Sequence, residues 1–409
     1  MQYKITHHTK TINATIDLPT SKSISNRLLI IRALCQQNFT IHKLATADDS
    51  QLLLKALNFN EAKIDVGAAG TSSRFLTALL AITKGNWYLC GTERLHKRPI
   101  ETLVNALINL GADITYAKKE GYLPLNINGK MLEGGKINIA GTISSQFISA
   151  LLMIAPTLKK GLQLNIKGNL VSTPYVQMTL KLMQNFGIVH TWEDHQITIA
   201  PQQYKAKDYT VEADWSAASY FFTIAALAKQ SKLLLNGLFE NSVQGDQQIQ
   251  QITDQLGIKS FFMKPYLHLI KASPSNNKFI FDFTECPDLA QTVAVYCAAL
   301  GIGAQFTGLQ TLRRKETDRI AALQNELAKI GVSFTSTDEI HFELSGKADL
   351  NLPTPTFETY EDHRMAMAIA PLALILPEII IEDPMVVSKS YPNFYKDLKK
   401  LGFEVAEIS

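Results

Sequence analysis

The chain has 409 residues, of which 46% are hydrophobic and 19% charged, with a formal net charge of +3 at pH 7. That composition excludes a largely disordered chain, and so small a positive bias gives no electrostatic case for nucleic-acid binding. The length predicts two or three domains with sizeable cores.

Six segments share one design: small polar or charged residues, then an apolar run of helical length. In chain order, Thr20-Ser21-Lys22-Ser23 precedes 28–34, Gly70-Thr71-Ser72-Ser73 precedes 75–82, and Ser144-Ser145-Gln146 precedes 147–155. Asp214-Trp215-Ser216 precedes 217–228, Pro287-Asp288 precedes 289–300, and Asp362-His363-Arg364 precedes 365–376. Amphipathic segments alternate with them at 48–57, 99–111, 176–187, 247–257, 318–331 and 394–402; Ile320, Leu323, Leu327 and Ile330 line one face of the fifth. Several end in glycine, a helix C-cap signal. Strand-type runs stand at 87–90, 137–139, 162–166, 197–199, 233–235 and 279–283.

Each repeat therefore reads as strand, buried helix, strand, amphipathic helix, then one or two strands, with the first repeat short of a hairpin. Repeats of this length are too long for a solenoid, so two lobes of three repeats are expected. The four cysteines, Cys35, Cys90, Cys286 and Cys297, form no Cys-x-x-Cys pair, and the histidines show no metal-ligand spacing. Buried free thiols are expected, with no structural metal. Residues 1–11 lack an apolar signal core, and Pro371, Pro377 and Glu378 interrupt the longest apolar stretch. A cytoplasmic protein without a membrane span is the expectation.

The chemistry sits at the strand-to-helix junctions. A helix N-terminus presents unpaired N–H groups and partial positive charge, which suits anions. Cations accompany these caps: Lys22, Arg27, Arg74, Arg98, Lys315, Arg319, Arg364 and Lys389. Cations beside apolar runs must be paired or must bind an anion, and Arg matches phosphate and carboxylate bidentately. So many with few motif acids imply a multiply anionic ligand. Asp288 and Glu316 are acid–base candidates, although a helix cap and an intrahelical ion pair are the plainer readings. No phosphate-binding P-loop or dinucleotide fingerprint is present.

Ser21-Lys22-Ser23-Ile24-Ser25-Asn26-Arg27, Ala69-Gly70-Thr71 with Arg74, Arg98-Pro99-Ile100, Ser144-Ser145-Gln146, Lys315-Glu316-Thr317-Asp318-Arg319, Asp362-His363-Arg364-Met365-Ala366-Met367 and Lys389 occur in this order. On these segments the chain resembles the 5-enolpyruvylshikimate-3-phosphate synthase family of enolpyruvyl transferases. The resemblance implies an α/β fold, a two-lobed inside-out α/β barrel of six βαβαββ repeats. One lobe would span 21–212 and bind mainly shikimate 3-phosphate; the other would join 1–20 to 213–409, with the active site in the interlobe cleft. It also implies a reaction in the shikimate pathway to chorismate and aromatic amino acids. The enolpyruvyl group of phosphoenolpyruvate passes to the 5-hydroxyl of shikimate 3-phosphate and phosphate leaves, with no metal and no cofactor.

By the same resemblance, Lys22 touches both substrates and aids proton transfer. Shikimate 3-phosphate is held by Ser23, Arg27, Ser144, Ser145, Gln146, Ser172, Tyr175, Asp288 and Lys315. Phosphoenolpyruvate is held by Gly70, Arg98, Gln146, Arg319, Arg364 and Lys389. Asp288 accepts the 5-hydroxyl proton and Glu316 protonates C3, while Arg74 is scaffold. Glyphosate would inhibit in the phosphoenolpyruvate space, and the protein would be a monomer with no nucleic-acid or membrane partner. Ala68, Phe75 and Thr311 depart from residues common in the family. Two alternatives stay open: the sister transferase acting on UDP-N-acetylglucosamine, and a catalytically silent anion-binding paralogue. The sister usually carries a loop cysteine before its Arg-Pro motif, whereas Cys90 stands on a strand-type run.

Overall fold

The computed structural model describes all residues except 59–60, 143, 169, 274–277 and 409. Contacts divide the chain into a continuous unit, Ser21–Val211, and a discontinuous unit, Met1–Thr20 with Glu212–Ser409. The first twenty residues belong with the distant half because their strands do. Gln2–Thr6 lies between Glu378–Glu382 and Glu404–Ile408, antiparallel to both, and Thr11–Asp17 runs parallel to Gln230–Asn236. The two chain passages are tied within that unit by the Thr20–Ala213 bridge and by Asp214 N–H donating to Pro19 O at 2.9 Å.

The continuous unit contains α1 (Lys22–Leu34), α2 (Asp48–Ala56), α3 (Gly70–Ile82), α4 (Glu101–Asn109), α5 (Ser145–Ile154) and α6 (Thr173–Asn185). The discontinuous unit contains α7 (Trp215–Leu227), α8 (Ile249–Gln255), α9 (Ala290–Leu300), α10 (Arg319–Ala328), α11 (His363–Ile369) and α12 (Phe394–Lys400). The described residues form five four-stranded sheets and one two-stranded sheet, so the fold is mixed α/β.

One sheet shows the repeat. Lys63–Asp65 runs parallel to Gly85–Cys90, which pairs antiparallel with Leu125–Gly129, and Asp113–Tyr116 forms the edge. The parallel pair needs a long crossover, which α3 supplies; the last two strands need only a tight connection. The first repeat departs from this. Ile41–His42 pairs in parallel with Tyr209–Thr210, and no hairpin follows α2 among the described residues.

The first helix of each repeat is central. Helices α1, α3 and α5 pack together in one unit, and α7, α9 and α11 in the other. Twelve of the thirteen residues of α7 are buried, as expected of a helix apolar on all sides. The second helices cover the outside: α10 buries Arg319, Ile320, Ala322, Leu323, Glu326 and Leu327 and exposes its other face more. The apolar run 365–376 is not one helix. It stops as an α-helix at Ile369 and continues as a 3-10 turn over Ala370–Leu374, because Pro371 cannot donate to the preceding turn.

The four cysteines are free thiols; Cys90, Cys286 and Cys297 are buried and Cys35 is half-buried. Burial pushes the Cys286 and Cys297 thiols up. Cys90 ends the strand Gly85–Cys90. Among the described residues no helix is long and apolar enough to cross a membrane.

Candidate active site

In the continuous unit, the first turns of α1, α3 and α5 meet. Ser21 caps α1 by accepting from Ile24 N–H. One and a half turns in, Arg27 is 2% exposed and lies 5.4 Å from the centre of the Phe75 ring of α3. It donates from Nε to Thr179 Oγ1 (2.7 Å), from Nη1 to Ser23 O (2.9 Å), and from Nη2 to Ser149 Oγ (3.1 Å) and Tyr175 O (3.3 Å). A guanidinium has five N–H groups. Arg27 thus holds α1, α5 and α6 together. Burial pulls it down to about 10, which leaves it charged at neutral pH.

Gly70 opens α3, and the Arg98 guanidinium packs against its Cα; an added Cβ would stand 2.9 Å from Arg98 Cζ. Glycine lets the side chain approach this backbone. Arg74 donates to Gly70 O and Ser73 Oγ at 3.0 Å and to Pro99 O at 3.3 Å, which joins the start of α3 to the Arg98-Pro99 segment. Lys22 Nζ pairs with buried Asp49 Oδ2 at 3.1 Å. Ser144 caps α5 by accepting from Gln146 N–H at 3.3 Å and is otherwise exposed; Ser145 and Gln146 are half-buried beside it. Ser172 precedes α6 in the left-handed region (φ 58°) and is buried, and Tyr175 stands one turn on.

In the discontinuous unit the starts of α7, α9, α10 and α11 meet in the same way. Ser219 and Thr292 hydroxyls touch at 3.2 Å between α7 and α9. Asp288, in the 3-10 turn Pro287–Leu289 ahead of α9, faces three cations. Its Oδ1 takes Arg319 Nη1 at 2.9 Å and Lys315 Nζ at 3.3 Å, and its Oδ2 takes Arg364 Nη2 at 2.9 Å. Arg319 reaches Asp362 Oδ2 from Nε at 2.7 Å and Glu316 Oε2 from Nη2 at 2.8 Å. Lys389 Nζ lies 3.5 Å from Glu316 Oε1. Asp362 also caps α11 by accepting from Arg364 N–H at 2.8 Å.

Charge in this cluster is balanced. Four cations (Lys315, Arg319, Arg364, Lys389) stand among the carboxylates of Asp288, Glu316 and Asp362, and Asp246 joins through Ser216 Oγ, which also takes Arg364 Nη2 at 3.2 Å. Burial pushes Asp288 up, but Arg364, Lys315 and Arg319 outweigh it and hold the carboxyl well below the usual range. Asp246 behaves oppositely: burial, with Asp288 adding to it, raises it to about 6. Among the described residues no group of three His, Cys, Asp or Glu could hold a metal ion.

This arrangement can hold a polyanion and offers carboxylates for proton transfer. A sequence model described as EPSP synthase (3-phosphoshikimate 1-carboxyvinyltransferase) matches residues 53–398. The chain is 47% identical over 395 residues to a 3-phosphoshikimate 1-carboxyvinyltransferase of Bacteroides fragilis, covering 96% of each chain. It is 35% identical to a protein of that name from Photobacterium profundum, over 96% of this chain and 97% of that one. The chain belongs to the EPSP synthase family. The fold agrees: an EPSP synthase structure from Acinetobacter baumannii superimposes with a TM-score of 0.80, at 20% identity, over 99% of this chain and 100% of that one.

The family's motif residues fall into two sets. Lys22, Ser23, Arg27, Gly70, Arg98, Ser144, Ser145, Gln146, Ser172 and Tyr175 lie in the continuous unit, and Asp288, Lys315, Glu316, Arg319, Arg364 and Lys389 in the other. The sequence reading of cations facing few acids needs correction. Asp49, Asp246 and Asp362 lie among them, because a buried cation needs a partner. Glu316 does pair with Arg319, three residues on, but it stands ahead of α10, so the pair is not intrahelical. Asp288 is no helix cap; its carboxylate faces side chains.

Asp49, Ser149, Thr179 and Asp246 were not singled out by motif, and Ser216 stood in the Asp214-Trp215-Ser216 segment without a role. Ser149 had a signal, as the one polar side chain in the run 147–155. Thr179 stands four residues after Tyr175, one helical turn away. Asp246 lies just ahead of the amphipathic pattern that starts at 247, where periodicity says nothing.

Proposed function

We propose that the protein transfers the 1-carboxyvinyl group of phosphoenolpyruvate to the 5-hydroxyl of shikimate 3-phosphate and releases inorganic phosphate. The observation that carries this reading is Asp288 held by Lys315, Arg319 and Arg364, within a chain that bears the family's motifs in order. In the addition step, O5 bonds to C2 of phosphoenolpyruvate, the hydroxyl proton goes to Asp288 and Glu316 gives a proton to C3. In the elimination step, the Glu316 carboxylate takes a proton back from C3, the C2–O bond to phosphate breaks, and the phosphate leaves with the bonding pair. No P–O bond breaks in either step, so the cations bind and orient rather than transfer a phosphoryl group.

The hold of Arg364, Lys315 and Arg319 on Asp288 fits this scheme. Substrate phosphate and carboxylate groups compete for Arg364, Arg319 and Lys315, so their arrival weakens the hold on Asp288 and makes it a better base. The same competition draws Arg319 and Lys389 from Glu316. The base is thus restrained until the reactants are present.

The further assignments belong to this reading. Ser23, Arg27, Ser144, Ser145, Gln146, Ser172, Tyr175, Asp288 and Lys315 hold shikimate 3-phosphate. Gly70, Arg98, Gln146, Arg319, Arg364 and Lys389 hold phosphoenolpyruvate, and Lys22 serves both. The three repeats of each unit close as an inside-out barrel, the active protein is a monomer, and glyphosate competes with phosphoenolpyruvate. The test is Asp288→Asn, with turnover and ligand binding measured separately. Binding of shikimate 3-phosphate within a few-fold of wild type, with turnover down at least a hundredfold, supports the base role. Undiminished turnover contradicts it.

A further inference from the structure

The segment between the strand Thr356–Phe357 and α11 has an unusual backbone. Tyr360 and Glu361 are successive non-glycine residues in the left-handed region, with φ of 52° and 53°. L-residues resist that conformation, so something must hold them there. The next residue is Asp362, which is fully buried, caps α11 and receives Arg319.

The restraint comes from α10. Arg319 and Glu326 are seven residues apart, two turns, and therefore share a face of that helix. Each is 1% exposed. Arg319 grips Asp362 at one end of the segment. Glu326 Oε1 accepts from the Tyr360 hydroxyl at 2.7 Å, and its Oε2 accepts from Glu358 N–H at 3.0 Å and Lys329 Nζ at 2.7 Å. Asn325 Nδ2 donates to the Tyr360 hydroxyl at 3.3 Å, and Lys329 Nζ donates to Thr356 O at 2.9 Å. One helix thus holds the whole segment 356–362.

We propose that Tyr360 and Glu326 are positioning residues: they clasp a strained turn so that Asp362 fixes the Arg319 guanidinium and, by capping α11 through Arg364 N–H, the backbone that carries Arg364, in their ligand-binding geometry. The clasp touches no reacting atom. Its consequence for catalysis rests on the reading above, that Arg319 and Arg364 hold phosphoenolpyruvate.

Three variants test it: Tyr360→Phe, Glu361→Gly and the double substitution. Tyr360→Phe removes only the hydroxyl. Glycine at 361 adopts the left-handed region without a Cβ penalty, so the turn needs less restraint. Hydrogen exchange over 358–364 in the unliganded protein reads the clasp itself. Exchange is expected to rise in Tyr360→Phe and to return toward wild type in the double variant. The KM values read the consequence: about tenfold higher for phosphoenolpyruvate in Tyr360→Phe, the scale of one hydrogen bond to a charged group, and less than twofold changed for shikimate 3-phosphate. The double variant should recover most of that loss. Unchanged exchange in Tyr360→Phe, or no recovery in the double variant, overturns the clasp. Faster exchange with an unchanged KM for phosphoenolpyruvate overturns the link to the arginines. If Arg319→Lys does raise that KM, the ligand assignment stands and only the link is lost.

Discussion

Arg319 and Asp362 meet through two hydrogen bonds, Nε to Oδ2 at 2.7 Å and Nη2 to Oδ1 at 3.4 Å, and neither side chain is more than 2% exposed. The same guanidinium reaches Asp288 and Glu316, so one side chain organises all three site carboxylates.

Removing that arginine leaves charge buried without its partner. Arg319→Gln is expected to destabilise the protein by about 3–5 kcal/mol, the usual result of breaking a buried ion pair from one side. Adding Asp362→Asn should recover part of the loss, because no buried carboxylate then lacks its cation. Denaturant unfolding of the two variants checks this. A single variant within about 1 kcal/mol of wild type would show that the pair is not a stability determinant.

Asp246 predicts a pH effect of definite sign. Its folded value is raised from 3.8 to about 6, so the native state holds the proton more tightly than the unfolded chain. Its stabilising contribution is complete below about pH 4 and is lost as pH rises through 6. Asp246→Asn has no such proton to lose. Its stability relative to wild type should therefore improve from pH 4 to pH 7, by on the order of 2–3 kcal/mol. Denaturation midpoints across that range check this, and a difference independent of pH would contradict it.

Gly70→Ala tests the ligand assignment at the start of α3. The added methyl would meet the Arg98 guanidinium, whose Cζ lies 2.9 Å from the Cβ position. Arg98 must then move. KM for phosphoenolpyruvate and Ki for glyphosate should rise at least about tenfold, while KM for shikimate 3-phosphate changes less than about twofold. Equal losses for all three ligands would place Gly70 elsewhere in the mechanism.

Glu316→Gln separates binding from chemistry. The amide keeps the shape and an acceptor toward Arg319 but cannot deliver a proton as a carboxylic acid does. Turnover should fall by at least about a hundredfold with both substrates still bound. Turnover equal to wild type would remove Glu316 from the reaction.

The long elements were legible in the sequence, and the short ones were not. Helices such as α3 and α7 announce themselves by largely apolar runs behind polar caps. The strands Ile41–His42, Tyr209–Thr210 and Thr356–Phe357 are two residues each, too short for any periodicity to show. Motif spacing located the cations and the acids Asp288, Glu316 and Asp362, but neither Asp49 nor which acid pairs with which cation. Asp49 and Lys22 are 27 residues apart, and Asp362 and Arg319 are 43 apart, so only the folded chain joins them. Arg27 was legible as a cation, but its hold on Thr179 and Ser149 was not.

The most direct test is phosphate release from the purified protein with shikimate 3-phosphate and phosphoenolpyruvate, each alone and together, with and without EDTA. Release only when both are present, unaffected by EDTA and absent when UDP-N-acetylglucosamine replaces shikimate 3-phosphate, is the predicted result. Release with UDP-N-acetylglucosamine would transfer the assignment to the sister reaction. No release with either acceptor would contradict the catalytic account, and Asp288 and Glu316 would lose their roles.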